Sequence, residues 1–411
     1  MGKLSMSEKI SPVVQGIPPS GIRKYFNLAE GNKDVISLGV GEPDFVTPEV
    51  IREAAARALE KGRTSYTPNA GLLELREAIA EYMHTRFQVG YEPSSEIMVT
   101  IGASEAIDLA LRALITPGDE VILPVPSYIA YAPLAQLYGG RVVEVEMKAE
   151  DQFKLTAEAL AGSITPRSKV LILNYPSNPT GAIMGYEDWL PLAKLAEQHD
   201  LIVIVDEIYG ELTYGGKHVS FASLPGMKER TLVISGFSKA FAMTGWRVGY
   251  TCGHPDLIAA MLKIHQYTVL CAPIMGQIAA LEALRSGLEE MAYMTESFNQ
   301  RRRMFVQGLR EIGLGCHEPQ GAFYAFPCIA GTGLSSDQFA QRLLEEAKVA
   351  IVPGHVFGAG GEGFIRCSYA ASVSRLNEAL ERMERFIKQL GSPAGAGKPQ
   401  KSGVLAAGTS S

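Results

Sequence analysis

From about Pro48 the apolar residues of the chain fall into two alternating rhythms. Residues 49–62 (EVIREAAARALEKG) and 72–87 (LLELREAIAEYMHTRF) repeat apolar side chains every three to four positions, which predicts helices with one buried face. Short apolar runs come between and after them: EIMVTIG, leading straight into the helical pattern ASEAIDLALRALI, then EVILPV, KVLILNYP, LIVIVDEIY and TLVISGFSK. Each run closes on polar or glycine-rich residues. Helix and strand in alternation predict a parallel sheet with crossover helices. After about residue 290 the texture changes to a long charged helix, strand-like GAFYAFPCI, the helix DQFAQRLLEEAK, the runs VAIVPG and EGFIRCSYA, and a final helix, SRLNEALERMERFIKQL. That pattern predicts an α+β second domain.

The expected organisation is therefore an arm and part of the small domain over residues 1–47, a large domain over 48–290, a small domain over 291–391, and a disordered tail over 392–411. The tail, GSPAGAGKPQKSGVLAAGTSS, has too few large apolar groups to build a core. A chain of 411 residues is also long enough that one small core would not serve it.

Charge and cysteine content narrow the function classes. A net charge of −6 and a pI near 5.8 argue against nucleic-acid binding, which needs a basic face. The five cysteines, Cys252, Cys271, Cys316, Cys328 and Cys367, are odd in number and form no CxxC pair, which fits reduced thiols in a cytoplasm. The longest uncharged run, VILPVPSYIAYAPLAQLY, contains three prolines and reads as strand, loop and helix, so no membrane span is expected. The seven histidines are dispersed and no HExxH occurs, so no metal site is expected.

Ligands of open parallel sheets bind beyond the carboxyl ends of the strands. Those ends carry Gly102-Ala103-Ser104, Tyr128 shortly after its strand, the run NYPSNPTG with Asn178, Asp206 with Tyr209, and Ser238-Lys239. The Gly-Ala-Ser turn opens a helix, where free N–H groups and the dipole suit a phosphate; Arg247 adds a charged fork and Ser238 a hydroxyl. Read alone, the tripeptide is an ordinary N-cap. Asp206 ends an almost wholly apolar strand, so its carboxylate needs a partner, either structural or the protonated nitrogen of a heterocycle. Lys239 follows the buried strand TLVIS and precedes Arg247 by eight residues; burial and that arginine depress its pKa, as an amine nucleophile requires. A Schiff base between Lys239 and an aldehyde on a phosphate-bearing ring, pyridoxal 5'-phosphate, accounts for the set.

The chain resembles the class I/II pyridoxal-phosphate aminotransferases of fold type I, in their aspartate/aromatic subgroup. The resemblance runs through LGVGEPDFVTP, YTPNAGLLELREAIA, GASEAI, NYPSNPTG, VDEIYGELTY, SGFSKAFAMTGWRVGY, VPGHVFG and FIRCSYA, and covers roughly residues 10 to 390. It implies an α/β fold with a mostly parallel central sheet in the large domain and a smaller α+β domain. It also implies that Lys239 carries the cofactor and then moves the proton, that Asp206 faces the ring nitrogen, that Tyr209 and Asn178 bond to the ring oxygen, and that Tyr128 stacks on the ring. By the same resemblance Gly102, Ala103, Ser104, Ser238 and Arg247 hold the phosphate, with Tyr66 reaching in from the other subunit of a homodimer whose sites are shared. The resemblance further implies that Arg366 binds the substrate α-carboxylate, assisted by Asn178 and the Gly39 backbone. The reaction implied moves an amino group from an L-amino acid, of aspartate or aromatic type, to a 2-oxo acid such as 2-oxoglutarate, in the cytoplasm.

The family often has a phosphate-binding serine three residues before the lysine, and Gly236 stands there; Ser235 or Ser238 would have to replace it. Arg112, on the helix after GASEAI, is a candidate for a distal substrate carboxylate or a solvated helix face. The loop GAGGEG at 358–363 matches a dinucleotide fingerprint, but strand-like FIRCSY follows it, so a nicotinamide dehydrogenase is not supported. The alternative within the same cofactor is a carbon–sulfur lyase or another enzyme on this scaffold, since fold does not decide among them.

Overall fold

The computed structural model describes residues 5–22 and 34–390, so the expected tail at 392–411 and part of the arm lie outside the described residues. After the short β1 (Ile36–Ser37), seven strands form the central sheet: β2 (Ile97–Thr100), β3 (Glu120–Val125), β4 (Arg141–Glu146), β5 (Ser168–Asn174), β6 (Ile202–Asp206), β7 (Thr231–Gly236) and β8 (Gly249–Cys252). Their order is β2-β8-β7-β6-β5-β3-β4. Pairing is parallel from β7 to β4 and antiparallel where β8 joins β7 and β2.

Helices cover both faces, which is why the inner strands are apolar throughout rather than alternating. β3 is buried along its whole length, as are the last five residues of β5. β4, at the sheet edge, reads RVVEVE and leaves Arg141, Glu144 and Glu146 exposed, which keeps that edge from pairing with another chain. Two apolar clusters sandwich the sheet, one containing Leu171, Leu173, Val203 and Val205, the other Val170, Ile172, Ile204 and Ile234, as alternate residues of a strand point to opposite faces.

A separate core gathers Phe298, Phe305, Phe323, Phe339, Ile365 and Phe386. Around it lie the helices Leu288–Glu311, Ser336–Ala347 and Val373–Leu390 and a three-stranded antiparallel sheet, β11 (Val352–Pro353), β12 (Ile365–Ser368) and β9 (Tyr324–Ala325). β1 pairs in parallel with β10 (Val349–Ala350), which ties the arm to this second core. The helix Leu288–Glu311 belongs to both: Met291 packs in the sheet's cluster, while Met294 and Phe298 pack in the second. The change of texture near residue 290 falls inside this helix rather than in a linker.

Candidate active site

Beyond the carboxyl ends of the parallel strands lies a cavity of about 760 Å³ between the two cores. Ala103, Ser104, Tyr128, Asn178, Asp206, Tyr209, Ser238, Lys239, Arg247 and Arg366 all line it. Tyr66 does not; it is 84% exposed on the surface of its own chain. Arg112 is also elsewhere, in an ion pair with Asp108 at 2.9 Å and bonded to the Tyr138 hydroxyl at 3.2 Å.

One end of the cavity is built from backbone. Gly102 opens the helix Gly102–Leu114 at φ +73, a conformation glycine enters without strain, and a Cβ there would stand 2.6 Å from Arg247 Nη2. The guanidinium therefore lies against the first turn of the helix, where unpaired N–H groups and the dipole favour an anion. Glu105 holds that turn by accepting from the Ile101 N–H at 2.5 Å and pairing with the buried His265 at 2.9 Å. The glycine at 236 has a steric cause: it faces Gly249 across the β7–β8 pair, and a Cβ on it would meet Gly249 Cα at 2.9 Å and Val248 O at 3.0 Å. No serine fits there. Of the two neighbouring serines, Ser238 lines the cavity and Ser235 does not.

In the middle, Asp206 closes β6 and is 4% exposed. Its carboxylate accepts from Tyr131 Oη at 2.8 Å and from the Ile208 N–H at 3.1 Å. Burial, against these two bonds, raises its pKa from the ordinary 3.8 to about 6. Asn174 bonds the Asp206 carbonyl and also receives the Asn178 N–H, so the ends of β5 and β6 are fixed together. Tyr128 stands edge-on to Tyr131 with centroids 5.5 Å apart.

Lys239, on the turn after β7, donates from Nζ to the Gly41 carbonyl at 2.7 Å. Burial first, and then the nearby Arg366 and Arg247, bring its pKa down to about 8 despite the opposing charges of Glu42 and Asp206. At the far end Arg366 is 2% exposed and, among the described residues, bonds only neutral oxygens, Asn178 Oδ1 at 2.8 Å and Gly39 O at 2.6 Å. Its Cζ lies 4.5 Å from the ring centroid of Tyr324, and its Nε has no hydrogen-bond partner among the described residues. A buried guanidinium without a carboxylate is a ready receptor for one.

Residues 33–383 match the profile of a family described as aminotransferase class I and II. The chain belongs to this family. A putative aminotransferase, YugH, of Bacillus subtilis is 54% identical over 93% of this chain and 99% of its own. An aspartate aminotransferase of Pyrococcus abyssi is 45% identical over 94% and 99%. Among solved structures, an aromatic aminotransferase from Pyrococcus horikoshii superposes with a TM-score of 0.85 at 44% identity, covering 90% of this chain and 99% of that one. This aminotransferase thus has the fold and the class of reaction, transfer of an amino group, of a family that works with pyridoxal phosphate.

Sequence reasoning passed over three parts of the aminotransferase site. Tyr131 and Tyr324 sit in apolar surroundings where a buried hydroxyl needs a partner, a signal legible in YIAYAP and GAFYAFP. Gly41 contributes only its carbonyl, and no side-chain pattern announces that.

Proposed function

We propose that this aminotransferase holds pyridoxal phosphate on Lys239 and passes an amino group from an L-amino acid, of aspartate or aromatic type, to a 2-oxo acid such as 2-oxoglutarate. When bound, the cofactor supplies an electron-accepting ring on which the Cα–H bond of the amino acid is weakened. The observation that carries the reading is that a lysine with a lowered pKa, a buried acid and a buried arginine face one cavity, the acid and the arginine hydrogen-bonding only neutral groups among the described residues. Each defect is a place for one part of the ligand set.

Arg366 binds the α-carboxylate as a fork and so fixes which face of the substrate meets Lys239. Lys239, with a pKa of about 8, is partly uncharged at neutral pH, and its Nζ serves as nucleophile and then takes and returns the proton. Asp206 keeps a ring N–H protonated, which also compensates the acid's own burial. Tyr209 and Asn178 direct their hydrogens at the ring oxygen, and Tyr128 covers the ring. The backbone of Gly102, Ala103 and Ser104, the Ser238 hydroxyl and Arg247 hold the phosphate, with Gly102 leaving the space a Cβ would occupy. Gly39 orients Arg366 through its carbonyl.

The reading extends to a cytoplasmic homodimer with shared sites. Exposed Tyr66, absent from its own chain's cavity, supports a role in the partner's phosphate site, and the five free cysteines support a reducing compartment. The test is Lys239→Ala. The variant should lose transfer by roughly 10³-fold or more and lose the cofactor label that borohydride fixes in the wild type. Retention of full turnover overturns the reading.

A further inference from the structure

Tyr324, the first residue of β9, belongs to no role assigned above, yet it touches three of the site's working parts. Its hydroxyl lies 2.8 Å from that of Tyr209. Its ring carries the Arg366 guanidinium at 4.5 Å. A Cβ on Gly41, whose carbonyl receives Lys239, would stand 2.4 Å from the same hydroxyl. Tyr324 and Tyr209 are 1% and 3% exposed, so the protein rather than bulk water satisfies their hydroxyls.

Two phenols that bond each other have a direction, because each holds one proton. If Tyr209 gave its proton to Tyr324, none would be left for a ring oxygen in the cavity. Among the described residues, the charged and titratable groups acting on Tyr324 are Arg366, Tyr209 and Tyr128. Burial raises the pKa of both hydroxyls and Arg366 lowers both, but it is the Tyr324 ring that lies beneath the guanidinium, at 4.5 Å. A cation over the ring polarises the Tyr324 O–H bond, which makes Tyr324 the natural donor of the pair. The stack on Arg366 holds the ring in the same pose that the bond to Tyr209 requires.

We propose that Tyr324 is a positioning residue for the transfer reaction: its hydroxyl donates to Tyr209 and thereby turns the Tyr209 proton toward the cofactor's ring oxygen, while its ring seats the arginine that receives the substrate carboxylate. The inference rests on the assignment of Tyr209 and Arg366 proposed above. One side chain then sets the geometry of two ligand contacts, and chains of hydroxyls strengthen one another in a site sheltered from water.

The experiment titrates the visible absorption of the bound cofactor with pH in holoenzyme of wild type, Tyr324→Phe, Tyr209→Phe and the double variant. A donor on the ionised ring oxygen favours loss of the neighbouring Schiff-base proton, so removing it raises the midpoint. Tyr209→Phe should raise it by about 1–2 pH units and Tyr324→Phe by about 0.4–1, while in the double variant the Tyr324 change should add almost nothing. Because phenylalanine keeps the stack on Arg366, the Kd for 3-phenylpropanoate, a carboxylate with no amino group, should stay within about two-fold of wild type in Tyr324→Phe. A Tyr324→Phe midpoint equal to wild type, full additivity in the double variant, or a ten-fold loss of 3-phenylpropanoate binding overturns the proposal while leaving the site as read. A Tyr209→Phe titration identical to wild type overturns the reading of the site and this proposal with it.

Discussion

Asp206→Asn should stabilise the apoprotein, which is the reverse of what removing a catalytic acid does to an enzyme. The carboxyl titrates near 6 in the fold against an ordinary 3.8, because burial outweighs the bonds from Tyr131 and Ile208. Each pKa unit corresponds to ~1.4 kcal/mol, so ionised Asp206 costs the folded chain about 3 kcal/mol. The sign follows from proton counts: between 3.8 and about 6 the folded state binds more protons, so stability falls as pH rises through that window and stays lower above it. The replacement amide carries no charge and still offers Tyr131 or Ile208 an acceptor; a partly lost bond returns about 1 kcal/mol. Some 2–3 kcal/mol of net gain, against an unfolding entropy of ~2.1 cal/mol/K per residue over the whole chain, is a rise in Tm of roughly 2–4 °C. Differential scanning calorimetry of the cofactor-free proteins at equal scan rates should show that rise at pH 8 and its decline as pH is lowered from 6.5 to 5. In the holoenzyme the order reverses, since the ring N–H loses its counter-charge. An apoprotein Tm at pH 8 that is unchanged or lower in the variant, or a rise independent of pH, refutes the argument.

Two further outcomes are expected. Arg366→Lys exchanges a planar fork for a point charge, and kcat/KM for amino acids should fall by 10²-fold or more while simple amines lacking a carboxylate change little, as single-turnover kinetics on both substrate types will show; equal losses contradict the assignment. Co-expressed Lys239→Ala and Tyr66→Ala chains should form hybrid dimers with one doubly damaged site and one intact site, so activity and cofactor affinity should exceed the parents' average; confirmed hybrids at or below that average place Tyr66 outside the partner's site.

Much of the sheet was legible because burial on both faces leaves no choice of residue: EVILPV, KVLILN and LIVIVD have apolar runs too short for helices and became β3, β5 and β6. β4 was not legible, since its alternating RVVEVE is the pattern of an exposed edge and resembles a polar connection. β8 was hidden inside a segment whose chemistry drew the eye, and its antiparallel direction depends on contacts distant in sequence. The site divided in the same way. Asp206 and Lys239 stood out because a charge at the end of an apolar strand is an anomaly visible in the residue pattern itself. Tyr131 and Tyr324 did not, because an aromatic residue in an apolar run is unremarkable until its hydroxyl is seen to reach Asp206 or Tyr209. The glycine at 236 looked like a missing phosphate ligand, and only the 2.9 Å approach of Gly249 shows that it is a packing requirement.

The helix Leu288–Glu311 can also be viewed as a beam. Its 24 residues span about 36 Å, with the first turn clamped at Met291 in one core and the rest, from Met294 onward, built into the other. Leverage follows from that shape: a tilt of about 5° at the clamp would carry the far end, and the core built on it, through some 3 Å. Arg301, midway along it, pairs with Asp44 on the segment that carries the Gly39 and Gly41 carbonyls. Lys239 and Arg366, each bonded to one of those carbonyls, are thereby tied through Asp44 and Arg301 to a helix that both cores share.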